Sequence, residues 1–123
     1  MAPEIRITVE HGIIRAVYRG KADFDVTTDM LRKVAQIASE NKSSLLLFDA
    51  READYQGYQV EAIKHAEQGP SLGNYRAFRI ALLGSKGHDE MFRYFENVAV
   101  NRGYQSQAFT DESEAVAWLR SAL

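Results

Sequence analysis

Two runs of apolar residues, Leu45-Leu46-Leu47-Phe48 and Ile80-Ala81-Leu82-Leu83, alternate along the chain with stripes at helical spacing. A short continuous apolar run bounded by polar residues suits a strand covered on both faces, as parallel strands are. The stripes are Met30, Leu31, Val34, Ile37 and Ala38; then Val60, Ile63 and Ala66; then Met91, Phe92, Phe95, Val98 and Ala99. Each marks one side of an amphipathic helix. Strands that alternate with helices imply a mostly parallel sheet joined by right-handed crossovers.

Ahead of the first helix the period changes to two. Ile5, Ile7 and Val9 alternate with Arg6, Thr8 and Glu10, and the β-branched run from Ile13 to Tyr18 follows at once. Glu10-His11-Gly12 between them predicts a tight turn with glycine at positive φ, hence an antiparallel hairpin. Asp25 or Thr27 can supply the N-cap oxygen of the first helix. The second helix stops at Gln68-Gly69-Pro70 and the third at Arg102-Gly103. Gln107-Ala108-Phe109 is a short last strand. Asp111, three residues before Glu114, gives a variant of the capping box, and Ala115, Trp118, Leu119 and Ala122 give the last helix its buried side. Trp118 is therefore expected against the sheet. The order is β-β-α-β-α-β-α-β-α: an α/β fold with an N-terminal β-hairpin, about four helices and one domain over residues 1–123.

Composition narrows function mostly by exclusion. The chain has no cysteine, so disulfides, thiolate metal sites and cysteine nucleophiles are ruled out. With 15 basic and 17 acidic residues in 123, no basic surplus exists to drive binding to a nucleic-acid backbone. No apolar run approaches the ~20 residues of a membrane span, and no basic-then-apolar leader opens the chain, so a cytoplasmic protein is expected. His11, His65 and His88 lack ligand spacing, and neither a nucleophile elbow nor a phosphate-cradling glycine loop is present. The expectation is no catalytic residue, no metal and no cofactor.

In open α/β sheets ligands gather beyond the carboxyl ends of the strands. The segment after the third strand, expected to leave the sheet at Asp49, is Asp49-Ala50-Arg51-Glu52-Ala53-Asp54-Tyr55-Gln56-Gly57-Tyr58. Asp49, Asp54, Tyr55, Gly57 and Tyr58, with Tyr75 from the loop before the fourth strand, form the candidate contact surface for a protein partner. The plainer reading is a solvated loop with Asp49 satisfying backbone amides. Asp49 with Asp54 as an acid/base or phosphoacceptor pair, helped by Ser85 and Lys86, is the enzyme alternative. Tyr55, Tyr58, Tyr75 and Phe78 around an apolar ligand or lipid make a carrier alternative, against shielding of a helix edge and core packing. Self-association is left open by the sequence.

The ending Phe109-Thr110-Asp111-Glu112-Ser113-Glu114-Ala115-Val116-Ala117-Trp118-Leu119, the strand Arg79 to Leu83 with Gly84, and the opening hairpin-to-helix segment together resemble the SpoIIAA-like superfamily. Within it the chain is similar to small bacterial STAS/SEC14-domain proteins. The resemblance implies a STAS-like fold and a regulatory, protein-binding role like that of anti-sigma-factor antagonists. Those proteins carry Asp-Ser-Ser-Gly at the start of the second helix, where a kinase phosphorylates the serine. Here the corresponding residues are Asp54-Tyr55-Gln56-Gly57, which keep the aspartate and the glycine but neither hydroxyl of the serine pair. The phosphorylation switch is therefore not carried over. Lipid-carrying SEC14 domains are longer and use extra helices to close their cavity.

Overall fold

The computed structural model describes residues 3–55, 78–85, 87, 89–101 and 103–121. Strands β1 (Glu4–Glu10) and β2 (Ile13–Lys21) form the hairpin, and helix α1 (Phe24–Asn41) leads to β3 (Leu45–Asp54). Then come β4 (Arg79–Leu83), α2 (Asp89–Asn101), β5 (Gln105–Phe109) and α3 (Glu112–Arg120). The five strands lie in chain order, β1-β2-β3-β4-β5. The β1–β2 pair is antiparallel and the rest are parallel. The helix expected around Val60, Ile63 and Ala66 lies outside the described residues.

Sequential strands joined by right-handed crossovers put the crossover helices on one face of the sheet. That is how the core divides. Met30, Val34 and Ala38 of α1 and Phe92 of α2 pack with Ile14, Leu46, Phe48, Ile80 and Leu82 on the first face. Ala115 and Leu119 of α3 pack with Ile13, Leu45, Leu47, Ala81 and Leu83 on the second. Adjacent residues of β3 thus feed opposite cores, which is why the run Leu45 to Phe48 is apolar without alternation.

The hairpin forms as expected. His11 and Gly12 both take positive φ, 52° and 79°, as a two-residue turn matched to strand twist requires. The cap of α1 differs from expectation: it is Asp23, whose Oδ1 accepts from the Val26 amide at 3.0 Å. The buried Tyr18 hydroxyl sets that cap, accepting from the Asp23 amide at 2.8 Å and donating to the Lys21 carbonyl at 3.2 Å. Burial pushes the Tyr18 hydroxyl's pKa up, against the hydrogen bonds it makes with the Asp23 amide and with Thr27. At α3, Asp111 is the N-cap residue, but its side chain makes no capping bond. Its carbonyl instead accepts from the Ala115 amide at 3.1 Å.

Two further corrections concern the sheet. β3 does not end at Asp49; it runs on to Asp54. Among the described residues the continuation pairs only with β2, through Arg19↔Glu52, Gly20↔Ala53 and Lys21↔Asp54, because β4 stops opposite Asp49. A strand with one neighbour needs no apolar run, and the cross-strand Arg19–Glu52 pair at 2.6 Å suits its polar sequence. Trp118 is only partly buried. In a helix of nine residues the i, i+4 pair Ala115 and Leu119 takes the sheet-facing line and leaves Trp118 to one side, beside Phe109.

Candidate functional site

The extension of β3 changes what the residues from Asp49 to Tyr55 can do. Up to Asp54 they are ladder residues, whose side chains alternate between the two faces. Between Asp49 and Glu52, opposite Val17 and Arg19, the pairing with β2 slips by one residue, a bulge that reverses the alternation beyond it. Asp49 falls on the α3 face, with side-chain exposure of 7%. Its Oδ1 accepts from Arg51 Nε at 3.0 Å and from the Arg51 backbone amide at 3.2 Å. Its Oδ2 accepts from Arg51 Nη2 at 2.7 Å and lies 3.5 Å from Arg15 Nη2. Glu112, first residue of α3, closes the group by accepting from Arg15 and from Arg51 Nη2, the latter at 3.1 Å.

Two carboxylates therefore hold two guanidinium groups across β2, β3 and α3. Burial pushes the Asp49 carboxyl up, but the Arg51 hydrogen bonds and the charges of Arg51 and Arg15 outweigh it, leaving it below the usual carboxylate range. The hydrogen bond from Arg15 lowers Glu112 likewise, and the bond to Asp49 raises Arg51 further. An acid held ionised by two cations makes a poor proton donor or shared-proton partner. Asp49 serves backbone and side-chain donors at once, close to the plainer sequence reading. Toward β1 this face opens into a shallow trough of about 630 Å³, where Glu4, Arg6 and Glu10 join Arg15, Arg19 and Glu52.

Tyr55 goes the other way. It packs on the α1/α2 face, edge-on to Phe92 at 6.1 Å and Phe95 at 6.4 Å. Asp54, exposed at the end of β3, accepts from the Ala22 amide through its carbonyl at 2.7 Å. Asp49 and Tyr55 thus stand on opposite faces, and the structure does not join Asp49 and Asp54 into a pair. The Ser85 hydroxyl donates to the Arg51 carbonyl at 3.0 Å. Gly57, Tyr58, His65 and Tyr75, and likewise Lys86 and His88, lie outside the described residues. Phe78 is fully buried beside Tyr104, at 6.4 Å and a steep angle, so it is core.

Sequence reasoning missed Arg15, Arg51 and Glu112 as members of one group. The signal was present: an arginine inside the apolar run Ile13-Ile14-Arg15-Ala16, and an arginine two residues beyond Asp49, on the same strand face. Among the described residues no cluster of three His, Asp or Glu side chains is arranged to hold a metal. Nor is any described helix long and apolar enough to cross a membrane.

The architecture has counterparts among solved structures. It is similar to an anti-sigma factor antagonist from Mycobacterium paratuberculosis, with a TM-score of 0.58 at 10% identity over 97% of this chain and 95% of that one. It is also similar to an uncharacterised DUF3478-family protein with a SpoIIAA-like fold from Shewanella loihica PV-4. There the TM-score is 0.52 at 18% identity, over 95% of this chain and 93% of that one. The fold is thus SpoIIAA-like, as the sequence resemblance implied. No family model and no curated protein matches the chain.

Proposed function

We propose that this chain is a non-enzymatic, cytoplasmic binding module that regulates a protein partner in the manner of an anti-sigma-factor antagonist, without a serine switch. The observation that carries the reading is the match in fold, from end to end, with a protein described as an anti-sigma factor antagonist. The contact surface we infer is the carboxyl end of β3 and the residues just beyond it: Asp54, Tyr55, Gly57 and Tyr58, with Tyr75. Asp49 belongs to it as an anchor, since its grip on Arg51 holds the strand that ends at Asp54. Two features support the loss of the switch. The residues in the Asp-Ser-Ser-Gly position are Asp54-Tyr55-Gln56-Gly57, and the Tyr55 ring is committed to packing with Phe92 and Phe95. Tyrosine at the contact surface adds a large rigid face and a polar tip, which interfaces favour.

The test is co-elution of the purified chain with each anti-sigma-type kinase of its own organism, with and without ATP, followed by phosphopeptide mapping. The expected result is a complex that Tyr58→Ala weakens by about tenfold, a hot-spot effect, with no phosphate on residues 49–60. Phosphate in that segment overturns the loss of the switch. If no kinase binds and native mass spectrometry instead finds an apolar adduct on the chain, the carrier alternative replaces this reading.

A further inference from the structure

The two edges of the sheet are treated differently. β5 is five residues long, and the Glu96 carboxylate of α2 reaches over to accept from the Ala108 amide at 2.8 Å. Its outward donor at Ala108 is thus already occupied, one way proteins blunt an edge against pairing. β1, at the other edge, is seven residues long. Glu10 and Ile13 flank the two-residue turn, so they form a hydrogen-bonded pair with each other. The alternation then turns the backbone N–H and C=O of Ile5, Ile7 and Val9 away from β2. Among the described residues they take no hydrogen bond from a loop or a side chain. Val9 is 39% exposed, an unusual site for a large apolar side chain here.

The side chains of β1 say what suits this edge. Glu4, Arg6, Thr8 and Glu10 lie along the trough face, while Ile5 and Ile7 line a groove with Val26, Met30 and Ile37 of α1. An incoming antiparallel copy of the same strand must keep the outward residues in hydrogen-bonding positions, which restricts the register to shifts of two. Centred on Ile7, the pairing sets Glu4 opposite Glu10. Centred on Arg6, it sets two arginines face to face. Like charges directly opposite are unfavourable. Centred on Ile5, it pairs Glu4 with Arg6 but uses only the first residues of the strand. Centred on Thr8, it sets Arg6 opposite Glu10 twice and Ile7 opposite Val9 twice, with Ile7 and Val9 exchanging backbone bonds. That register alone combines opposite charges, apolar cover for Val9 and most of the strand.

We propose that β1 is a self-association edge: two copies pair antiparallel about Thr8, with Arg6 of each opposite Glu10 of the other, joining the two sheets into one. This surface lies at the opposite side of β2 from β3 and does not depend on the function proposed above.

Neither Arg6 nor Glu10 has an ion-pair partner among the described residues, so reversing either charge leaves the monomer's packing intact. The experiment is sedimentation velocity up to millimolar chain concentration. Wild type is expected to dimerise. Arg6→Glu alone and Glu10→Arg alone each place like charges at both pairing positions and should weaken the dimer by roughly tenfold or more. An equimolar mixture of the two variants restores opposite charges at both positions and should recover the dimer, which only folded variants can do. A wild type that stays monomeric throughout overturns the proposal. So does a dimer indifferent to both reversals, or a mixture that fails to associate.

Discussion

Asp49 and Arg51 grip one another from two positions apart on the same strand face, carboxylate to guanidinium through both oxygens, at 3.0 and 2.7 Å. Arg15 reaches the same carboxylate from β2, and Glu112 bridges both arginines from the first turn of α3. The group is a clasp between the carboxyl-terminal helix and the sheet centre. Replacing Asp49 by Asn keeps the shape and removes the buried charge, leaving two guanidinium groups to the half-buried Glu112 alone. Breaking a buried pair costs several kcal/mol, but here both arginines reach solvent. We expect Asp49→Asn to lose about 1–2 kcal/mol in urea melts at pH 7.

The same clasp sets a pH dependence. Asp49 and Glu112 have folded pKa values below their ordinary ones, so the unfolded chain binds more protons as pH falls. Their stabilisation is complete above the ordinary carboxylate range, about pH 4–5, and is lost as pH drops through the folded values. Melts between neutral pH and pH 3 should show stability falling with acid. The fall should be shallower in Asp49→Asn; an identical acid limb in both proteins would show that Asp49 titrates normally.

Gly84 closes β4 against the ring of Phe92. A Cβ built at this position would run into the edge of the Phe92 ring, and Phe92 is itself 2% exposed, so the ring cannot swing out into solvent to make room. Gly84→Ala should cost about 1–3 kcal/mol by overpacking. Combined with Phe92→Leu, the alanine should cost less than it does alone, because the smaller side chain yields the space. Strictly additive losses in a double-mutant cycle would place the clash elsewhere.

Helix α1 ends on Lys42 at φ 51°, in the left-handed region that glycine favours. The Ser43 amide bonds back to the Ala38 carbonyl at 3.1 Å, so the turn is fixed and the lysine must adopt the conformation. Lys42→Gly should raise stability by about 0.5–1 kcal/mol. A loss in thermal melts would mean that the lysine side chain contributes more than its backbone costs.

What the sequence made legible was set by periodicity. Alternation in Ile5 to Val9, the unbroken Leu45 to Phe48 and the stripe Met30–Val34–Ala38 are local signals, and all three became the expected elements. Asp49 to Asp54 was illegible because its strand character comes from pairing with β2, which lies beyond the whole of α1 in the sequence. The contrast between Asp49 and Tyr55 was hidden more deeply: strict alternation would put them, six residues apart, on one face, and only the one-residue slip between Asp49 and Glu52 in the pairing with β2 separates them. Arg15, Arg51 and Glu112 come from three separate segments: the β2–β3 pairing brings the two arginines to Asp49, and the α3 crossing adds Glu112. The Asp23 cap depended on Tyr18, a core residue by its pattern, turning its hydroxyl toward the helix start.

Trp118 and Leu119 are neighbours on α3 with different standing. Leu119 is fully buried between Leu45, Leu47, Ala81 and Leu83, so Leu119→Ala should cost about 2–5 kcal/mol as a core truncation. Trp118 lies at the flank, with Phe109 at 5.7 Å and the Arg79 guanidinium 4.4 Å above its ring. Arg79 also donates to the Trp118 carbonyl and to Ser121 Oγ, pinning the end of the helix by its backbone. An aromatic pair and a partly solvated cation–π contact are each worth about 1 kcal/mol, so Trp118→Ala should cost about 2 kcal/mol, less than Leu119→Ala. Trp118 is the chain's single tryptophan, so its fluorescence reports this position alone. Acrylamide should quench it in the native state, and Arg79→Ala should increase the quenching by removing the group that covers the ring. A tryptophan shielded from acrylamide, with a truncation cost equal to that of Leu119, would put the ring under the helix rather than beside it.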